Sequence, residues 1–173
     1  MPESSANRIS NSGFTLIELV VVIVILGVLS AFALPRFADL SGNARQAKME
    51  AAYGTMQSAS SIVGMACKTD AACDPSAPST GGGTGNSIEL EGENIILAFG
   101  YPRRTEAGIA RASGIQDVSD GGDYLLSQSV VSGIERLRVR PNDDTAAENC
   151  EVLYREAESA GQSPEITLIT TDC

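Results

Sequence analysis

The sequence predicts an α+β fold, one long N-terminal helix packed on a small antiparallel sheet. Three observations predict it. An apolar run fills residues 14–34, an apolar three-four spacing continues to residue 66, and short strand-and-turn patterns follow from residue 88. The implied organisation is a polar leader over 1–13, the long helix over 14–66 with its membrane-length part over 14–34, and a globular head over 67–173.

The apolar run sets the frame. From Phe14 to Leu34, Glu18 is the only charge among 21 residues. At about 1.5 Å per residue such a helix is about 31 Å long, close to the ~30 Å hydrocarbon core of a bilayer. It can therefore lie in a membrane, with lipid as a partner. A carboxylate inside it is costly and marks a functional position whose partner must be found. The leader, MPESSANRISNSG, is polar and has no apolar period. A secretory signal is the alternative, with Ala31-Phe32-Ala33 as an A-x-A cleavage site. Against it, the single Arg8 is balanced by Glu3, and Glu18 interrupts the apolar region.

Pro35 removes one helix hydrogen bond, but helical periodicity resumes behind it. Phe37, Leu40, Ala44, Ala47 and Ala51 form a three-four stripe, extended by Ile62 and Ala66; Met49, Ala52, Met56, Ala59 and Val63 widen it. This predicts an amphipathic helix over 36–66, apolar on one side where the first half is apolar all round. Gly81-Gly82-Gly83 falls in a loop and lacks the Gly-Lys-Ser/Thr that a phosphate-cradling loop needs.

The head reads as strands and turns. Residues 88–90 and 95–99 flank Glu91-Gly92-Glu93-Asn94, and Gly100-Tyr101-Pro102 breaks the second strand. A short helix is expected over 106–112. Residues 124–131 and 134–140 form a second hairpin around Ser132-Gly133, and 151–154 and 166–170 are the last strands. The short connections predict antiparallel pairing, and the amphipathic half of the long helix is the cover for the sheet's apolar face.

Charge is unevenly placed. Residues 1–66 are neutral, whereas residues 67–173 carry 18 acids and 8 bases, a net of −10. No nucleic acid partner is expected, because binding one needs a basic face. The chain has no His, which removes the commonest general base and metal ligand. No nucleophile-base arrangement stands among its serines and carboxylates, so a membrane-anchored enzyme is disfavoured and no cofactor is expected. Asp117, Asp120 and Asp123 around Gly121-Gly122 are a weak Ca²⁺ candidate that does not match an EF-hand spacing; a solvated turn is the simpler reading. Four cysteines favour disulfides in an oxidising compartment, and three pairings are possible.

The segment GFTLIELVVVIVILGVLSAFALPRF closely resembles the signature of type IV pilins. The resemblance implies prepilin peptidase cleavage between Gly13 and Phe14, and N-methylation of Phe14. It matches Glu18 to the acidic fifth mature residue, and Gly27 and Pro35 to helix-weakening positions. The leader departs from the pattern in lacking the usual basic cluster. Phe99-Gly100-Tyr101-Pro102, and Cys150-Glu151-Val152-Leu153-Tyr154 with Cys173, resemble the mannose-sensitive haemagglutinin branch, whose members build thin attachment filaments. The implied pairing is Cys150 with Cys173 and Cys67 with Cys73. The implied partners are further copies of the chain in a homo-oligomeric filament, the peptidase and methyltransferase, and an inner-membrane assembly platform. The chain would be a single-pass inner-membrane protein before assembly and an extracellular pilus subunit after it. Cleavage would expose a Phe14 amine that Glu18 of a neighbouring copy can pair with. A secretion-system pseudopilin or a low-abundance minor pilin is the alternative, since the N-terminal segment is shared.

Overall fold

The structure, a computed structural model, describes residues 14–78, 86–142 and 149–173, without the side chains of 34–39 and 131. The leader over 1–13, with the Gly13 side of the expected cleavage point, and Gly81-Gly82-Gly83 lie outside the described residues. Helix α1, Leu16–Thr69, is the only α-helix among the described elements and runs to 54 residues. It begins two residues after the predicted start and ends three residues after the predicted end, with Lys68 in its last turn, where a cation suits the helix dipole. The chain divides into two compact units, Met1–Ser41 and Gly42–Cys173.

Among the described residues seven strands make two sheets rather than the single sheet expected. β1 (Ser87–Leu90), β2 (Glu93–Ala98) and β3 (Tyr101–Pro102) form one; β4 (Tyr124–Val131), β5 (Ile134–Pro141), β6 (Cys150–Arg155) and β7 (Glu165–Thr170) form the other. Every strand pair is antiparallel and every sheet runs in chain order. Three hairpins turn on the same device, two residues with positive φ: Glu91-Gly92, Phe99-Gly100 and Ser132-Gly133. Such primed turns match the twist of the strands that they join. They correct two expectations. The β1–β2 connection is two residues, not four, because Glu93 and Asn94 pair with Leu90 and Glu89. Phe99-Gly100 does not end the sheet but reverses it, so that Tyr101 and Pro102 return against Ala98 and Leu97.

The second unit closes around one stripe of α1. Met49, Ala52, Met56 and Ala59 join Leu137, Val139, Cys150, Val152 and Tyr154 in one buried cluster, and Val63 and Cys67 join Ile88, Ile95 and Leu97 in another. The companion stripe is a correction. Leu40 is 60% exposed and Ile62 55%, and Ala44, Ala47 and Ala51 are exposed as well. Both stripes keep helical spacing, but the one carrying the two methionines and Val63 has the volume to fill the space under the sheets. Tyr154 ties the two sheets together: it is fully buried, and its hydroxyl donates to the Pro102 carbonyl at 2.6 Å.

The predicted helix over 106–112 is kinked: Gly108, with φ −101° and ψ −108°, leaves the helical region within Glu106–Ala110, and the turn runs on through residues 111 and 112. Gly108 is buried at its centre, and a Cβ there would collide with the Arg103 carbonyl. That neighbour is backbone and cannot rotate away. We expect Gly108→Ala to destabilise the head by about 2–3 kcal/mol. Thermal unfolding checks this; an unchanged midpoint would show that the loop relaxes freely.

Candidate functional site

In the first unit the site is the apolar helix with its single carboxylate. The window Leu16–Ala33 has a mean hydropathy of 2.9, and none of it is buried within the chain. Ser30, the one hydroxyl inside this stretch, donates to the Leu26 carbonyl at 2.7 Å, which satisfies it within the helix. The backbone is helical through Gly27 and residue 35, while the Pro35 side chain is outside the described residues.

Glu18 has a local partner that the sequence reading missed. Thr15 precedes the first helical residue and acts as the N-cap. The Glu18 N–H donates to Thr15 Oγ1 at 3.3 Å, and Glu18 Oε2 accepts from the Thr15 backbone N–H at 3.0 Å and its hydroxyl at 2.7 Å. This is a reciprocal capping box, which satisfies two backbone donors that the first turn would otherwise leave open. The signal was legible as Thr15-x-x-Glu18 ahead of an apolar run. Phe14, beside it, is 88% exposed.

In the second unit Cys67 is joined to Cys73 and Cys150 to Cys173, and no described cysteine is free. The second bridge holds Cys173, beyond β7, to the start of β6, closing a loop worth about 3 kcal/mol in the chain-entropy model. Arg45 on α1 donates from Nε to the Cys173 backbone oxygen at 2.7 Å. Lys48, one turn on, donates to the Asp123 carbonyl and lies 4.7 Å above the Tyr124 ring. These contacts fasten α1 to both ends of the four-stranded sheet.

The Asp117, Asp120 and Asp123 trio does not converge. Among the described residues no group of three or more His, Cys, Asp or Glu is placed to hold a metal ion. Asp117 caps a short 3-10 turn, Val118–Asp120, accepting from the Ser119 N–H at 2.9 Å and the Leu126 N–H at 2.6 Å. Asp123 lends its carbonyl to Lys48.

The described chain is thus a long helix, apolar and exposed along its first part, followed by an α+β head. Residues 8–34 match the prokaryotic N-terminal methylation motif. The chain is 45% identical over 82 residues to the type IV narrow pilus major component PilA5 of Thermus thermophilus, an alignment covering 44% of this chain and 71% of that protein. No solved structure matches. The chain belongs to the type IV pilin family, whose members are structural rather than enzymatic.

The backbone N–H groups of Ser119 and Leu126 hold the Asp117 carboxyl below its ordinary value, with the Ser119 side chain adding to this. A depressed carboxyl contributes stability that is complete above the ordinary Asp value and lost as pH falls through the lowered one. Wild type should therefore unfold above Asp117→Asn at neutral pH. The gap should shrink as the pH is lowered from about 4 towards 2. Unfolding midpoints across that range test it, and a constant gap would remove the capping role.

Proposed function

We propose that this chain is the structural subunit of a type IV pilus used for surface attachment, stored in the inner membrane and then packed into an extracellular filament. The observation that carries the reading is the apolar helix Leu16–Ala33, wholly uncovered within its own chain. Lipid covers such a surface before assembly, and neighbouring helices cover it afterwards. The PilA5 relative is a pilus major component, and that name favours a true pilin over a pseudopilin or minor pilin. That name lends nothing to the mannose-sensitive haemagglutinin branch, which rests on two short runs alone: Phe99 to Pro102, and Cys150 to Tyr154 with Cys173.

In this reading prepilin peptidase cuts between Gly13 and Phe14, the Phe14 amine is methylated, and an inner-membrane platform adds the subunit to the filament. Glu18 of one copy then pairs with the Phe14 amine of another. The capping box supports this role. All the Thr15 bonds to the carboxylate use Oε2, which pins the side chain and leaves Oε1 available to an outside cation. An ion pair removed from water adds little net stability, but a subunit out of register leaves one charge unpaired, and that is costly. Glu18 thus sets axial register.

Glu18→Ala is expected to yield processed chain of normal cellular abundance but filament yield lower by about tenfold or more. Mass spectrometry of sheared filaments and of the membrane fraction reads mature N-terminus and abundance together. Normal filament yield and length would sink the register role. A low abundance of wild-type chain in sheared filaments would favour the minor-pilin alternative.

A further inference from the structure

Strand β5 carries Arg136, Arg138 and Arg140 on the face turned away from α1, since the alternate residues Leu137 and Val139 enter the core. On β4 the residues opposite them are Ser129, Ser127 and Leu125. On β6 the same face carries Glu151 and Leu153, both buried. The acids of this face do not match its cations evenly. Glu151 lies 2.7 Å from Arg138, and burial pushes its carboxyl up while Arg138 and Arg140 oppose the shift. Glu165 on β7 faces Arg155, which also holds Glu158. Arg136 has no ion pair or hydrogen bond among the described residues, and the Ser129 hydroxyl opposite it is buried without a partner. Arg136 is partly exposed and its charge is unpaired, so it can receive an anionic group from outside, while the covered Ser129 hydroxyl opposite it offers no competing anion.

Groups of that kind stand on this chain itself. The excess charge of the head is negative, and the β1–β2 turn displays it. Glu89 and Glu91 are exposed and have no ionic partner among the described residues, and Glu91 is the first residue of the turn, with φ of 53°. Glu93, next along, is held by Arg111 at 3.6 Å. In the Asp117 to Asp123 turn Asp117 is spent on backbone N–H groups and Lys48 bonds the Asp123 carbonyl, which leaves Asp120 exposed as the competing acid.

We propose that the arginine face of β5, centred on Arg136, receives the Glu89 and Glu91 turn of a neighbouring copy in the assembled filament. The proposal rests on the pilus-subunit reading and extends it to the heads. The two patches differ, so the contact is heterologous: the arginine face of one copy cannot meet the same face of another. Repetition of a heterologous contact without ring closure builds an open helical array, which is the symmetry that a filament requires. The helices supply the main packing. The head contact adds rotational register through charge matching, in which a wrong neighbour meets like charge.

The test uses the full-length chain in filament-forming cells, with wild type as reference. Arg136→Glu and Glu91→Arg should each lower the yield of sheared filaments about tenfold, at equal cellular chain and unchanged non-reduced mobility, and the double variant should recover most of the loss. Arg136→Lys keeps the charge and adds an amine. Zero-length carbodiimide coupling of its filaments should join residue 136 of one copy to Glu89 or Glu91 of another, read by peptide mass spectrometry. Wild-type yield from both single variants, failure of the double variant to recover, or coupling of residue 136 only to other acids would overturn the contact. Loss of attachment without loss of filaments in Arg136→Glu would also overturn it, assigning the face to an external anion. Absence of filaments from wild type itself would overturn the pilus reading and this contact with it.

Discussion

The constraint on which everything else depends is apolar surface that the chain cannot cover by itself. In the first unit Leu16 is 80% exposed, Ile25 53% and Leu29 60%. Each Val, Leu or Ile removed from water gains about 1.5–3 kcal/mol, so this stretch requires a second phase or other copies of itself. Folding in isolation cannot satisfy it. The helix is therefore a component whose stability is completed by its surroundings. The capping box at Thr15 and Glu18 and the Ser30 bond to Leu26 satisfy the first-turn donors and the hydroxyl of that surface in advance, and leave the Glu18 charge as its one polar group still in need of a partner.

The head solves a different problem with the same element. Residues after Gly42 present Met49, Ala52, Met56 and Ala59 to one sheet and Val63 and Cys67 to the other. One helix thus seeds two clusters, and Tyr154 joins the sheets through its bond to Pro102. Burial pushes the Tyr154 hydroxyl up, so it stays protonated and keeps donating at ordinary pH. Arg104 adds a second fastening, with its backbone N–H and guanidinium both directed to Glu156 and the guanidinium also to Glu135. A head closed in this way can present different faces to different neighbours without losing its own core.

Much of this was legible as period and punctuation. The apolar run, the three-four spacing, and the strand pairs around Glu91-Gly92 and Ser132-Gly133 all carry local signals, and local signals survive in a single sequence. What was not legible depended on competition between distant residues. Two stripes on α1 had equal helical spacing, and only the volume available beneath the sheets decided that Met49, Met56 and Val63 would be inside and Leu40 and Ile62 outside. The division into two sheets was hidden for a related reason. Phe99-Gly100 has the chemistry of both a strand end and a tight reversal, and the choice rests on two residues returning to pair with Leu97 and Ala98. The Thr15 cap, by contrast, was local and readable.

Leu40, Ala44, Ala47, Ala51 and Ile62 are exposed in the chain by itself, and the alanines among them suit a solvated helix face through helix propensity. Most of these side chains are small, so covering them yields less per residue than covering Leu16 to Ala33, but it lets another helix approach closely. In the proposed filament, non-directional burial along Leu16–Ala33 would hold subunits together without fixing their rotation. The proposed charge contact between heads would fix rotation without supplying much cohesion. Dividing the two tasks between segments would let a subunit exchange lipid for neighbouring helices like for like, and would let specificity reside where water can still screen a wrong encounter.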